Sequence, residues 1–119
     1  MLIVDNINTY YGNVKILNDI SIQVNEGELI SVIGANGAGK STLLKTICGL
    51  VAPASGSISF CGDRTDKLRA FDIVKKGIVL CPEGRHVFPD LTVVENLQMG
   101  AFTRTNKKNI EEDMEKVFE

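Results

Sequence analysis

Gly34, Gly37 and Gly39 are followed at once by Lys40, Ser41 and Thr42 in the run Gly34-Ala35-Asn36-Gly37-Ala38-Gly39-Lys40-Ser41-Thr42. Lacking a Cβ, the glycines let the backbone curl and point several N–H groups at one place. A helix that starts directly after them adds its unpaired N–H groups and the positive end of its dipole. The spacing fits the pattern G-x-x-x-x-G-K-[ST], in which the lysine bridges the outer phosphates of a nucleotide and the hydroxyl ligates Mg²⁺. In that reading Lys40 is the phosphate bridge and Ser41 the metal ligand. The flanks supply the context that the pattern needs. Leu29-Ile30-Ser31-Val32-Ile33 predicts a buried strand entering the loop, and residues 41–48 predict a helix leaving it and stopping at Gly49. These are the residues of a nucleoside triphosphate site. Phosphoryl transfer also needs a second carboxylate for the metal and a group that orients the attacking water. No strand-like apolar run follows Cys81 to carry that carboxylate.

The elements that must position this loop are short and mostly alternating. Residues 2–8 read as one strand, and Ile20, Ile22 and Val24 alternate over a second. Asn25-Glu26-Gly27 then turns the chain into the run 28–33. Ser57-Ile58-Ser59-Phe60-Cys61 alternates again between Gly56 and Gly62. Such strands predict an antiparallel layer with one buried face, beside the parallel strand that feeds the loop. Leu68, Phe71, Ile73 and Val74 predict a helix over 66–76 that ends at Gly77. Ile78-Val79-Leu80-Cys81 is continuously apolar and predicts a second central strand, ended by Pro82. Thr92 and Glu95 have the capping-box spacing for a helix over 93–100. Asn109 and Glu112 repeat it for a last helix carrying Ile110, Met114, Val117 and Phe118 on one face.

Composition narrows the possible functions. With 119 residues, 44% hydrophobic and 24% charged, the chain reads as one soluble globular domain at most, below the usual size of a complete mononucleotide-binding sheet. A net charge of −2 gives no electrostatic case for nucleic acid. No apolar run approaches the ~20 residues of a membrane helix. Met1-Leu2-Ile3-Val4-Asp5 lacks the basic start of a signal peptide. Cys48, Cys61 and Cys81 are odd in number and widely spaced, so they read as buried free thiols in a reducing cytosol. His86, the sole histidine, lies in a loop far from any nucleophile and reads as a surface or packing residue.

Three features outside the loop converge on a family. Tyr11-Gly12 precedes a short strand, the run 78–81 leads into Pro82-Glu83-Gly84-Arg85, and Phe88-Pro89-Asp90-Leu91-Thr92-Val93-Val94-Glu95-Asn96-Leu97 follows. Together with residues 33–42 they resemble the N-terminal half of ATP-binding-cassette (ABC) transporter ATPases. The resemblance runs over residues 2–119 and is most specific at 82–97, since phosphate loops are shared by many unrelated enzymes. Pro82-Glu83-Gly84-Arg85 followed by Val87-Phe88-Pro89 is similar to the branched-chain amino-acid importer ATPases, and among them to the second of the two paired subunits.

The resemblance implies an α/β fold of the phosphate-loop NTPase type, an antiparallel layer beside a partial parallel sheet with helices. It implies an ATP-binding core over about 1–85 and the start of a helical region over about 86–119. ATP and Mg²⁺ are the implied ligands, with Gly34, Asn36, Gly37, Ala38, Gly39, Lys40, Ser41 and Thr42 as the cradle. Tyr11 is the implied ring on adenine, with Tyr10 as its rival; such stacking is worth roughly 1–3 kcal/mol. Glu83 stands where the family usually has a glutamine that reaches the metal and the attacking water. A carboxylate keeps the acceptor oxygens and loses the N–H₂ donors. Arg85 and the stretch 84–97 correspond to the surface that meets membrane permease subunits. A paired ATPase subunit and a cytoplasmic position on the inner face of the membrane are implied as well.

The family's signature loop, metal aspartate, catalytic glutamate and switch histidine have no counterpart in these residues, and His86 does not match the last of them. The expectation is therefore an N-terminal fragment of an importer ATPase for branched-chain amino acids, prone to self-association through unpaired strand edges. Two alternatives stay open: a non-catalytic nucleotide-binding or interaction module, and a cassette ATPase for another solute such as urea or without a membrane partner.

Overall fold

The computed structural model describes residues 1–34, 39–81, 89–101, 104 and 106–118. Asn36, Gly37 and Ala38 of the phosphate loop, and Glu83, Gly84, Arg85 and His86, lie outside the described residues. The chain forms two units, Met1–Leu80 and Cys81–Glu119.

In the first unit, β1 (Leu2–Tyr11) and β2 (Val14–Val24) form a hairpin, and Gly12 opens its tight turn with a φ of 60°. Strand β3 (Ser55–Phe60) takes the other edge of β1, and β4 (Asp63–Arg64) pairs with β3. The sheet order is β2-β1-β3-β4, antiparallel at every step. Side chains should alternate between the two faces along a strand, yet the buried positions of β1 switch parity from Val4 to Ile7 and Thr9. The cause is a bulge: Asn6 has a φ of 48°, and the β1–β2 register shifts between Val4 and Ile7. Asp19 on β2 has the same φ, and there the inward set passes from Leu17 to Ile20 and Ile22. The side chain of Asn8 ties the two irregular strands together. Its Nδ2 donates to Asp19 Oδ1, Ser55 Oγ and Asn6 O at 3.0, 3.0 and 3.1 Å, and its Oδ1 accepts the Asp19 N–H at 3.0 Å.

Helix α1 (Lys40–Ile47) lays Leu43 and Ile47 on the buried face of the sheet, against Val4, Ile7, Leu17 and Ile58. Gly49, with a φ of 80°, stops it as expected: Gly49 N–H donates to Thr46 O and Leu50 N–H to Lys45 O. After β4 the chain departs from the sequence expectation. Helix α2 spans only Ala70–Lys75, not 66–76. Asp66 is committed elsewhere, its carboxylate accepting the Ile58 N–H at 3.1 Å and the Arg64 guanidinium at 2.7 and 2.9 Å. Leu68 N–H closes a turn on Thr65 O, so the helix starts beyond it.

The largest departure concerns the two apolar runs expected as parallel strands. The antiparallel layer and the helix are present, but neither 28–33 nor 78–81 is in a strand. Parallel pairing needs a neighbouring strand brought alongside by a crossover, and cover on both faces. Among the described residues no strand offers either run an edge. Leu29, Ile33 and Val79 are 93%, 92% and 76% exposed, whereas Ile78 still packs on the core cluster. The cysteines also differ from expectation. All three are free, but only Cys48 is partly buried; Cys61 sits in the turn after β3 and Cys81 follows the unpaired run, both exposed.

In the second unit, α3 (Val93–Gly100) begins with the expected capping box: Thr92 N–H donates to Glu95 Oε1 at 2.9 Å, and Glu95 N–H to Thr92 Oγ1 at 3.1 Å. Helix α4 (Lys107–Phe118) starts earlier than Asn109 and Glu112 suggest. Asn106 is its cap, with Oδ1 accepting the N–H groups of Lys108 and Asn109 at 3.1 and 3.2 Å. An earlier asparagine with the right backbone reach outcompetes the later one. No helix among the described residues is long and apolar enough to cross a membrane.

Candidate functional site

The site is built on the start of α1. Gly39 caps the helix with a φ of 94°, a conformation that L side chains rarely adopt. A Cβ there would meet Leu17 Cδ2 at 3.0 Å and the Ile16 carbonyl oxygen at 3.3 Å, so β2 presses the loop's last glycine from behind. Leu43 N–H makes the first helical bond, to Gly39 O at 2.8 Å. The N–H groups of Lys40, Ser41 and Thr42 therefore precede the helical ladder. The cap position makes no side-chain hydrogen bond, and the first turn carries no acidic residue. Among the described residues no cap side chain and no first-turn carboxylate competes for the positive end of this helix, which suits an anion. The Lys40 ammonium bends back and donates to the Gly34 carbonyl at 2.6 Å, joining the two ends of the loop. Gly34 O is available because the run before it belongs to no sheet ladder.

Side chains also tie α1 to the end of β1. Thr46, buried in α1, donates from Oγ1 to Thr42 O at 2.7 Å and lies 3.4 Å from Thr9 Oγ1 on β1. One helical turn nearer the loop, Thr42 Oγ1 donates to the Tyr11 hydroxyl at 3.4 Å. Of the two tyrosines, Tyr11 is thus the one that touches the phosphate-loop helix. Tyr10 carries the Lys15 ammonium over its ring at 5.9 Å instead. Ser41 is exposed, as a hydroxyl offered to a hydrated Mg²⁺ must be. Glu83, its expected companion, lies outside the described residues. Among the described residues no group of three or more His, Cys, Asp or Glu side chains could hold a metal. Mg²⁺ keeps several waters and is commonly held by one or two protein oxygens plus substrate phosphates, so a lone hydroxyl fits that ion.

Burial pushes the thiol of Cys48, the residue that ends α1, above its ordinary pKa. Sequence reasoning missed Ile16 and Leu17 behind Gly39, and missed Thr9 and Thr46. Thr42 and Thr46 do stand four residues apart beside Leu43 and Ile47, a spacing that puts hydroxyls on a core-facing stripe. That pattern was the available signal.

Residues 17–119 match the sequence profile described as ABC transporter. This chain belongs to the ABC transporter family. It is 50% identical over all 119 residues to the high-affinity branched-chain amino acid transport ATP-binding protein BraG of Pseudomonas aeruginosa. It spans 51% of that protein's length. Among solved structures, the dimeric bacterial ABC transporter cassette MJ0796 superposes with a TM-score of 0.80 at 24% identity, covering 97% of this chain and 55% of that one. The ABC cassette MJ1267 superposes with a TM-score of 0.78 at 31% identity, covering 92% of this chain and 44% of that one. The fold is that of part of an ABC cassette, about half of each one it superposes on.

Proposed function

We propose that this chain is the nucleotide-holding part of the ATP-binding subunit of an importer, with branched-chain amino acids as its solutes. The observation that carries this reading is the 50% identity to BraG along every residue of the chain. The open helix start and the Lys40–Gly34 closure support it, because together they form a positively charged cradle in front of α1. In this reading Lys40 leaves Gly34 O for the outer phosphates, and Gly34, Asn36, Gly37, Ala38 and Gly39 wrap them. Ser41 ligates Mg²⁺, Thr42 contacts phosphate, and Tyr11 lies against adenine. Glu83 sits by the metal or the attacking water, and the stretch 84–97 faces the permease subunits on the inner side of the membrane. A second ATPase subunit completes the pair. Within these 119 residues the role is binding and positioning, since the sequence carries no counterpart of the metal aspartate or the catalytic glutamate.

Titration calorimetry with ATP·Mg²⁺ tests the reading. The parent chain binds with a dissociation constant weaker than micromolar, and Lys40→Ala gives no heat beyond dilution. Identical heats from the two chains would sink it.

A further inference from the structure

Helix α4 is 12 residues long, and none of them is buried. Helices of that length are marginal alone in water, and most of their stability comes from packing an apolar stripe on a partner. Along one side Glu111, Met114, Glu115 and Phe118 line an open groove, at the spacing i, i+3, i+4, i+7. The acids of this helix differ in their commitments. Asp113, two positions past Glu111 and so on the far side, is held by Arg104 at 2.7 Å and Lys116 at 3.8 Å. Glu111 and Glu115 are exposed and make no ion pair among the described residues. Lys107 stands one turn before Glu111 on the groove side, so the stripe reads cation, carboxylate, carboxylate.

That order decides what can lie along the groove. Two copies of α4 packed parallel and in register set each charge against its like, and a stagger of one turn still leaves Glu111 against Glu115. Antiparallel copies that match Lys107 with Glu115 set Glu111 against Glu111. A second copy is therefore a poor occupant of this face. A helix with Lys or Arg beside both glutamates and apolar side chains over Met114 and Phe118 meets no such repulsion, and charges flanking an apolar seam are what set partner choice between helices. We propose that α4 is a docking face for a cationic amphipathic helix of another protein. The face lies outside the stretch 84–97 assigned above to the permease subunits, and its occupation needs no nucleotide.

The probe is a fluorescein-labelled helical peptide of leucine and lysine, with the leucines along one side. Its anisotropy should rise saturably with the purified chain. Glu111→Gln together with Glu115→Gln should weaken binding about three- to tenfold, the worth of two rim ion pairs. Glu112→Gln, outside the groove, should leave it unchanged. A peptide of the same charge with serine for leucine should not bind, which separates docking from general attraction to a chain of net charge −2. The peptide comparison uses the parent chain and depends on no variant folding. Failure of the leucine peptide to bind, binding of the serine peptide, or equal weakening by Glu112→Gln overturns the proposal. A peptide of residues 107–118 that binds more tightly than the leucine-lysine peptide would give the face to a second copy and overturn it too.

Discussion

Gly56 and Gly12 both hold left-handed backbone, with φ of 90° and 60°, but a methyl group would meet different surroundings at each. At Gly56 a Cβ would fall 2.3 Å from the Asn6 carbonyl oxygen, backbone that the β1 bulge fixes in place. At Gly12 nothing lies within 4 Å. Gly12→Ala should therefore cost only the left-handed penalty, ~1–2 kcal/mol, while Gly56→Ala adds displacement of the bulge and should exceed it by at least ~1 kcal/mol. Urea midpoints of the two variants decide this, and equal losses would mean that the bulge yields freely. The helix start after Gly39 was legible at this scale because a glycine followed by Lys-Ser-Thr and an apolar stripe is a local pattern. The hold of Gly34 O on Lys40 and that of Tyr11 on Thr42 were not. The first uses a backbone carbonyl that no residue type advertises, and the second joins positions 31 residues apart.

The turn between β4 and α2 depends on one carboxylate. The Arg64 guanidinium, which donates two hydrogen bonds, and the Ile58 N–H together hold Asp66 down to about 2, below its ordinary 3.8. Because the folded value is the lower one, the stabilisation is fully present above the ordinary value and is lost as pH falls from there through the folded value. It amounts to ~1 kcal/mol once solvent screening of the exposed guanidinium is allowed for. Thermal midpoints should fall between pH 5 and pH 2 in the parent and fall less in Asp66→Asn; parallel curves would exclude Asp66 as the cause. The same carboxylate explains why the helix over 66–76 was misread. Its apolar spacing is genuine, but the long-range claim of Ile58 on Asp66 delays the start to Ala70. The antiparallel strands, α1 with its stop at Gly49, and the cap of α3 were legible because strand alternation, a stop glycine and a capping box act within a few residues, whereas the hairpin turn at Gly12 was not read. The parallel strands were not, because a continuously apolar run states that it wants neighbours without stating whether they are there.

Taken as a whole, the molecule leaves a good deal of apolar surface in water. Leu29, Ile33 and Val79 in the first unit, and Val117 and Phe118 on α4 in the second, are all exposed. Exposed apolar patches and unpaired runs favour pairing with another copy. The scattering mass of the purified chain should rise with concentration, and Leu29→Ser with Ile33→Ser should reduce that rise; a constant monomer mass in the parent would refute the expectation. The sheet order has a consequence of another kind, in the timing of synthesis. Strand β1 pairs with β2 across a tight turn, but its other edge waits for β3, where Leu2 meets Phe60. A nascent chain leaving the ribosome has β2 and then α1 to hand well before that edge can close. Strand β1 is thus made well before its second edge can be covered, and α1 can settle on the hairpin while the sheet is still half built.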